Sequence, residues 1–386
     1  MLNGSKVNSS IRFNKLIIKV IIHLQYWLLN AILDFFSFIL FPSGKIKDVK
    51  KILIFRTGSL GDSVCALPAI YSIRKNFPDA QIDILTNAGA ENFVSLGALI
   101  DKTIVNEIID YFGLEKKILF KKLKENKYDF FIQLPQYDAG LARQLRDIFI
   151  AKALSVKYAF GWQVGSTRLL AKYQEKLIKF ENERDRLLGI LESNGLRSYG
   201  LVFPLGISEE IKGRIVEVMK MRRLEDKNLN IGMVVGAKRQ QNRWPIEYFK
   251  KVADYLLQKG FNILLFGGSD DTERANQITG EKVFNFCGKL TPLETAEMMK
   301  HCKLVISNDT GPMHLAYAVG TPVIAIFSGR DYAGKWFPPE ENFIFRNKNI
   351  VCVDCLNACE KDNECLLGIK PAQIIATIDK MIKTRK

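Results

Sequence analysis

Histidine is scarce in this chain, and acidic residues are outnumbered. Three histidines occur in 386 residues and no Asp-x-Asp triplet is present, so there is little from which to assemble a catalytic metal centre. The glycine-containing loop at residues 56–62 lacks the G-x-G-x-x-G spacing, and no Gly-Lys-Ser/Thr follows it. Dehydrogenase and NTPase readings lose support accordingly. Nothing matches a zinc finger, an aromatic RNA-binding sheet or a basic zipper, which leaves nucleic acid the weakest of the candidate partners. Internal repeats and low-complexity linkers are also missing, which argues against a solenoid.

What the chain does have is length for two α/β domains with full cores. At 47% hydrophobic and 25% charged residues its composition is that of a folded globular protein. The formal net charge is +15, an excess of Lys and Arg that suits an anionic membrane or a phosphorylated substrate.

Residues 15–41 are largely apolar, yet Lys15, Lys19, His23, Tyr26, Asn30, Asp34 and Ser37 recur every three or four positions. At 100° per residue they form one narrow stripe on a helix whose wide face is Leu, Ile, Val, Phe and Trp. The pattern predicts a helix lying in a membrane interface with its polar stripe toward water. Lys6, Arg12, Lys45, Lys47, Lys50 and Lys51 flank it and favour anionic headgroups. A secretory signal would need a small-residue cleavage site, which is missing. A spanning helix is opposed by the charged residues inside the run. A helix packed on the protein's own core is the third reading. The expected location is therefore peripheral or monotopic, on the cytoplasmic face of the plasma membrane.

Residues 51–55 read as a buried strand, 63–76 as a helix and 81–86 as a second strand, a β-α-β unit of a parallel, doubly wound sheet. Strands near 102–105 and 128–134 and helices near 114–124 and 140–153 continue the alternation. Arg143 and Arg146 suit an anionic acceptor, although solvated helix charges are the commoner explanation. Residues 202–207 read as a linker, with a helix from Ser208. The second half restarts with strands at 230–235, 261–266, 303–306 and 321–327, and Thr291 with Glu294 has the spacing of a capping box. The expected organisation is an amphipathic helix at 1–45 and two α/β domains, at 46–205 and 206–386.

The stretch Ser307, Asn308, Asp309, Thr310, Gly311, Pro312, Met313, His314 joins an apolar strand to a helix. Pro312 suits the helix start and Gly311 the tight turn before it. The free N–H groups of such a start attract phosphate, with Thr310 and His314 as added donors. An ordinary turn capped by Asp309 or Thr310 is the alternative. Loops 236–245 and 267–273 bring Lys238, Arg243, Gly267, Gly268 and Asp271 to the same sheet edge, a set that suits a nucleoside diphosphate.

At these residues the chain resembles glycosyltransferase family 9, whose heptosyltransferases pass heptose from ADP-heptose to the lipopolysaccharide core. The resembling pieces are Lys51, Ile52, Leu53 and Ile54; Gly61 and Asp62; Leu67, Pro68, Ala69 and Ile70; Arg243, Trp244 and Pro245; Phe266, Gly267 and Gly268; and Asn308 through His314. They occur in the family's order. The resemblance implies a GT-B fold, two Rossmann-like domains facing a cleft, the first (46–205) taking the acceptor and the second (206–386) the nucleotide sugar, and an inverting reaction that needs no cofactor. It places Asp62 as general base and Asp309 through His314 at the donor's diphosphate, and the acceptor is expected at Gly61, Arg143 and Arg146. Asp62 as a helix N-cap is the structural alternative. One position departs from the family: Asn242 stands where its best-known members carry a lysine, which keeps another nucleotide sugar open as donor. A catalytically inactive sugar-nucleotide binder and an epimerase are the further alternatives.

Of seven cysteines, Cys352, Cys355, Cys359 and Cys365 crowd near the C-terminus. They offer ligands for a structural zinc, although the spacing matches no standard finger and a cytoplasmic location disfavours disulfides. Family members often carry a similar segment.

Overall fold

The computed structural model describes residues 4–41, 44, 46–87, 94, 96–164, 181–331, 333–340, 342–347, 359 and 362–384. Two compact units divide the chain. Met1–Gly58, Pro68–Gly97 and Lys102–Gly200 form the first, and Ser59–Leu67, Ala98–Asp101 and Leu201–Lys386 form the second.

In the first unit, β1 (Lys51–Phe55), β2 (Gln81–Thr86), β3 (Glu107–Asp110), β4 (Phe130–Gln133) and β5 (Tyr158–Phe160) form one parallel sheet in the order β3-β2-β1-β4-β5. Ile52 lies beside both Ile82 and Phe130, and all three are fully buried, as unbroken apolar strands require when helices cover both faces. Its described helices are α1 (Gly4–Leu40), the part of α2 (Leu60–Asn76) from Pro68 onward, α3 (Lys116–Glu125), α4 (Leu141–Ala153) and α5 (Glu183–Ser193), the first two turns of α2 belonging to the second unit. The strand expected at 102–105 forms instead at Glu107–Asp110. The Asn106 carboxamide accepts from the Ile82 amide and so ends the turn just before the ladder.

The polar stripe expected on α1 divides: His23 and Asp34 are exposed as expected, whereas Tyr26 and Asn30 turn inward. Asn30 turns toward the unit, its Oδ1 accepting from the Val164 amide at 3.0 Å. Tyr26 approaches Arg186, Glu181 and Glu183, and burial raises its phenol above the ordinary range. Leu33 is fully buried in a cluster shared with Leu29, Phe36, Leu40 and residues of α4. Most of what faces outward is apolar: Val20, Ile21, Leu24, Trp27, Phe35, Phe38 and Ile39 are each half or more exposed. Periodicity fixes a stripe and does not choose which medium it meets. Among the described residues no helix is long and apolar enough to cross a membrane.

The second unit carries β6 (Asn230–Val234), β7 (Asn262–Leu265), β8 (Val283–Asn285), β9 (Leu304–Asn308), β10 (Val323–Phe327) and β11 (Phe343–Arg346), all parallel, in the order β11-β10-β9-β6-β7-β8. Read from the other edge this is the doubly wound dinucleotide order, with its switch point between β6 and β9. Its helices are α6 (Glu209–Met221), α7 (Ile246–Gln258), α8 (Thr272–Ala275), α9 (Pro292–Lys300), α10 (Gly311–Ala318), α11 (Glu364–Leu367) and α12 (Pro371–Thr384). Local signals hold here. Ser208 caps α6 through Ile211 N, and Thr291 and Glu294 bond reciprocally across the start of α9. Trp244, fully buried, donates from Nε1 to the Ile369 carbonyl at 2.9 Å, tying the C-terminal segment to the core.

Candidate active site

Ligands of open parallel sheets bind at the carboxyl ends of the strands, beside the switch point. In the second unit that place is held together by Asn308, the buried last residue of β9. Its Nδ2 donates to the carbonyls of Val235 and Gly236, and its Oδ1 accepts from Trp244 N at 3.0 Å. A cavity of about 200 Å³ opens there. Its walls include Asp62, Asp309, His314, Arg239, Arg330 and Asp331, with Gly61, Thr310 and Gly311 between them. Gly311 is required by contact, because a Cβ there would meet Leu60 at under 3 Å.

Asp62 is not an N-cap. Ser59 precedes α2, and Asp62 sits in the first turn, its Oδ2 accepting from Ser59 N at 2.9 Å and Ser59 Oγ at 2.7 Å. This is the carboxylate half of a capping box, and it leaves the group on the cavity wall. At α10, Thr310 occupies the capping position without a side-chain cap, so the first amides there are not closed by it. Asn242 joins three loops. Its Nδ2 donates to the carbonyl and Oδ2 of Asp309, both at 3.2 Å, and its Oδ1 accepts from Ser328 Oγ at 2.8 Å. Burial first, and the nearby Asp331 carboxylate second, push the Asp309 carboxyl up to about 7, against the pull of Arg330 and Lys335. Asp331 itself is held by Trp336 Nε1 at 2.9 Å and by Lys335 at 3.7 Å.

The residues expected at the donor thus divide. Asp309, Thr310, Gly311 and His314 share the cavity with Asp62 and Gly61. Pro312 stands in the first turn of α10, and Met313 is fully buried, a packing residue. Lys238, Arg243, Gly267, Gly268 and Asp271 are not among the lining residues. Arg243 donates to the Ala237 carbonyl at 2.7 Å. The Asp271 carboxylate accepts from Gly268 N at 3.1 Å and fills the space left by Gly236 and Gly267, where burial raises its pKa. Arg239, Arg330, Asp331 and Trp336 were missed. For Arg330, Asp331 and Trp336 the signal available was the glycine-containing loop after β10, which leaves the same sheet edge, and for Arg239 it was the 236–245 loop after β6.

Arg143 and Arg146 line a different cavity, of about 360 Å³, at the carboxyl ends of β1 to β4 in the first unit. Arg146 is paired with the buried Asp147, and Arg143 donates to Gln136 Oε1 at 3.3 Å. The loop at 134–136 is fixed from beneath by a buried cluster in which Arg56 and Arg186 both donate to the Pro135 carbonyl and to Glu183. Of the cysteines, Cys352 and Cys355 lie outside the described residues. Cys365 is buried, and the half-buried Cys359 accepts from Asn363 N at 3.2 Å. Among the described residues no group of His, Cys, Asp and Glu is placed to hold a metal ion.

With this geometry in place, similarity to known proteins is informative. Residues 192–366 match the model of glycosyltransferase family 9 (heptosyltransferase). Lipooligosaccharide heptosyltransferase 2 of Campylobacter jejuni is 26% identical over 342 residues, covering 86% of this chain and 98% of that protein. Lipopolysaccharide heptosyltransferase 3 of Escherichia coli K12 is 26% identical, covering 83% and 95%. Among solved structures, a glycosyl transferase family 9 protein from Veillonella parvula superposes with a TM-score of 0.68 at 22% identity, covering 89% of this chain and all of that one. An E. coli heptosyltransferase with ADP gives 0.58 at 18%, covering 86% and 99%. These structural likenesses carry the fold: two parallel-sheet domains of the GT-B kind.

Proposed function

We propose, from a chain that belongs to glycosyltransferase family 9 and is a glycosyltransferase, that it transfers heptose from ADP-heptose to a lipopolysaccharide-core or other lipid-linked acceptor. The observation that carries this reading is the single cavity in which Asp62 meets the turn from Asp309 to His314 at the switch point of the second sheet. Asp62 takes the proton of the acceptor hydroxyl as its oxygen attacks the anomeric carbon, and the bond from that carbon to the diphosphate breaks with inversion. Arg239, Arg330, His314 and the first amides of α10 receive the charge of the leaving diphosphate, so the step calls for no metal. A carboxyl raised like that of Asp309 reduces the conflict between the acidic wall and this anion. Nucleotide identity rests on the relatives named above.

Arg143 and Arg146 are assigned to anionic groups of the acceptor. The outward apolar side of α1 is assigned to an anionic membrane surface, peripherally and on the cytoplasmic face, where a lipid-linked acceptor is made available. Asp62→Asn tests the catalytic assignment. The amide still accepts from Ser59, so ADP binding should persist while turnover falls by roughly 10² to 10⁴. A variant that keeps turnover would remove Asp62 from the chemistry.

A further inference from the structure

His314 is only 3% exposed although it lines the cavity, and its ring is held on several sides. Trp336 stands perpendicular to it, centroids 6.2 Å apart. Gly61 lies along its Cδ2–Nε2 edge, where a Cβ would come within 3.0–3.2 Å. The other nitrogen, Nδ1, is 2.7 Å from the Tyr317 hydroxyl and 3.6 Å from Cys65 Sγ, which is itself 3.7 Å from that hydroxyl. Tyr317 and Cys65 are buried at 6% and 1% exposure. The Tyr317 ring is packed edge-on against Phe203.

A phenol and a neutral thiol each carry a proton at pH 7. Two proton-bearing groups converging on one ring nitrogen are best satisfied when that nitrogen accepts. A neutral imidazole then holds its proton on Nε2, the nitrogen on the Gly61 side. The opposite tautomer would turn a lone pair toward any anion in the cavity. We infer that Tyr317, supported by Cys65, is a positioning residue: it fixes His314 in the Nε2–H form and so presents a set donor to an anionic ligand, the diphosphate on the reading given above. The ligand's identity rests on that reading; the tautomer does not.

The test is Tyr317→Phe, which keeps the ring and removes the hydroxyl, beside Cys65→Ser, which keeps a proton donor next to the ring. Long-range ¹H–¹⁵N spectra of the ligand-free protein report the tautomer, and His314→Gln assigns the signals among three histidines. The expected result is an Nε2–H imidazole in the wild type and in Cys65→Ser, and a mixture in Tyr317→Phe with ADP binding weaker by roughly 5- to 10-fold. A wild-type proton on Nδ1, or a Tyr317→Phe variant with unchanged tautomer and unchanged ADP affinity, would overturn the inference. If folded wild-type protein binds no ADP, the nucleotide reading fails, and the change of tautomer in Tyr317→Phe alone decides the role of Tyr317.

Discussion

Replacing Asp309 by Asn should make the second unit more stable at pH 8 and leave it nearly unchanged at pH 4.5. The Asp309 carboxyl is pushed up to about 7 by burial and by Asp331, against about 3.9 for an unperturbed aspartate. Between those values the folded protein holds a proton that the unfolded chain has released. Stability therefore falls as pH rises through this window and stays low above it. Taken at full value the difference is about 4 kcal/mol; the cavity admits water, so about 2 kcal/mol is the expected effect. The carboxamide introduced by Asp309→Asn would still accept from Asn242, whose Nδ2 lies 3.2 Å from the present carboxylate, so the loop contact survives. Urea unfolding from pH 4.5 to 8 measures the effect, with transitions fitted separately because two compact units need not unfold together. The gap between variant and wild type should open with rising pH. Parallel curves would mean that Asp309 is ionised throughout, and the account of the cavity's charge would be wrong.

Glu183→Gln leaves the buried Arg56 and Arg186 without their shared carboxylate and should destabilise the first unit by about 3–5 kcal/mol, read as a lowered denaturation midpoint. Trp27→Glu with Phe38→Glu places charge on the bare side of α1, where both residues are more than 60% exposed. Flotation with anionic vesicles should then fall on the order of 10²-fold with ADP affinity unchanged; equal flotation would remove α1 from the membrane contact. Arg143→Gln should raise the acceptor KM roughly 10-fold at unchanged donor KM, and an unchanged acceptor KM would free the first unit's cavity from acceptor binding.

Much of this is readable in the sequence where chemistry is local. The Thr291–Glu294 box, the Ser208 cap and the apolar strands fall where their residues put them. For Asp62 the sequence leaves an N-cap open, because Ser59 and Asp62 are both good caps three residues apart, and only the backbone shows that Ser59 takes that place. The stripe on α1 is visible, but Asn30 and Tyr26 face inward because Val164 and Arg186, more than a hundred residues on, offer partners. Lys238 and Arg243 stand out in the sequence as cations, yet Arg239 and Arg330 line the cavity. Which side chain of a loop turns to a cavity depends on its neighbours: Arg243 is drawn away by the Ala237 carbonyl.

The central claim is heptosyl transfer from an ADP-linked donor. The most direct measurement incubates the full chain with ADP-heptose and heptose-deficient lipopolysaccharide core and follows both products by mass spectrometry. The account predicts an acceptor heavier by one heptose for each ADP released, lost in Asp62→Asn. Consumption of a UDP- or GDP-sugar in its place, with ADP-heptose untouched by folded protein, would contradict it.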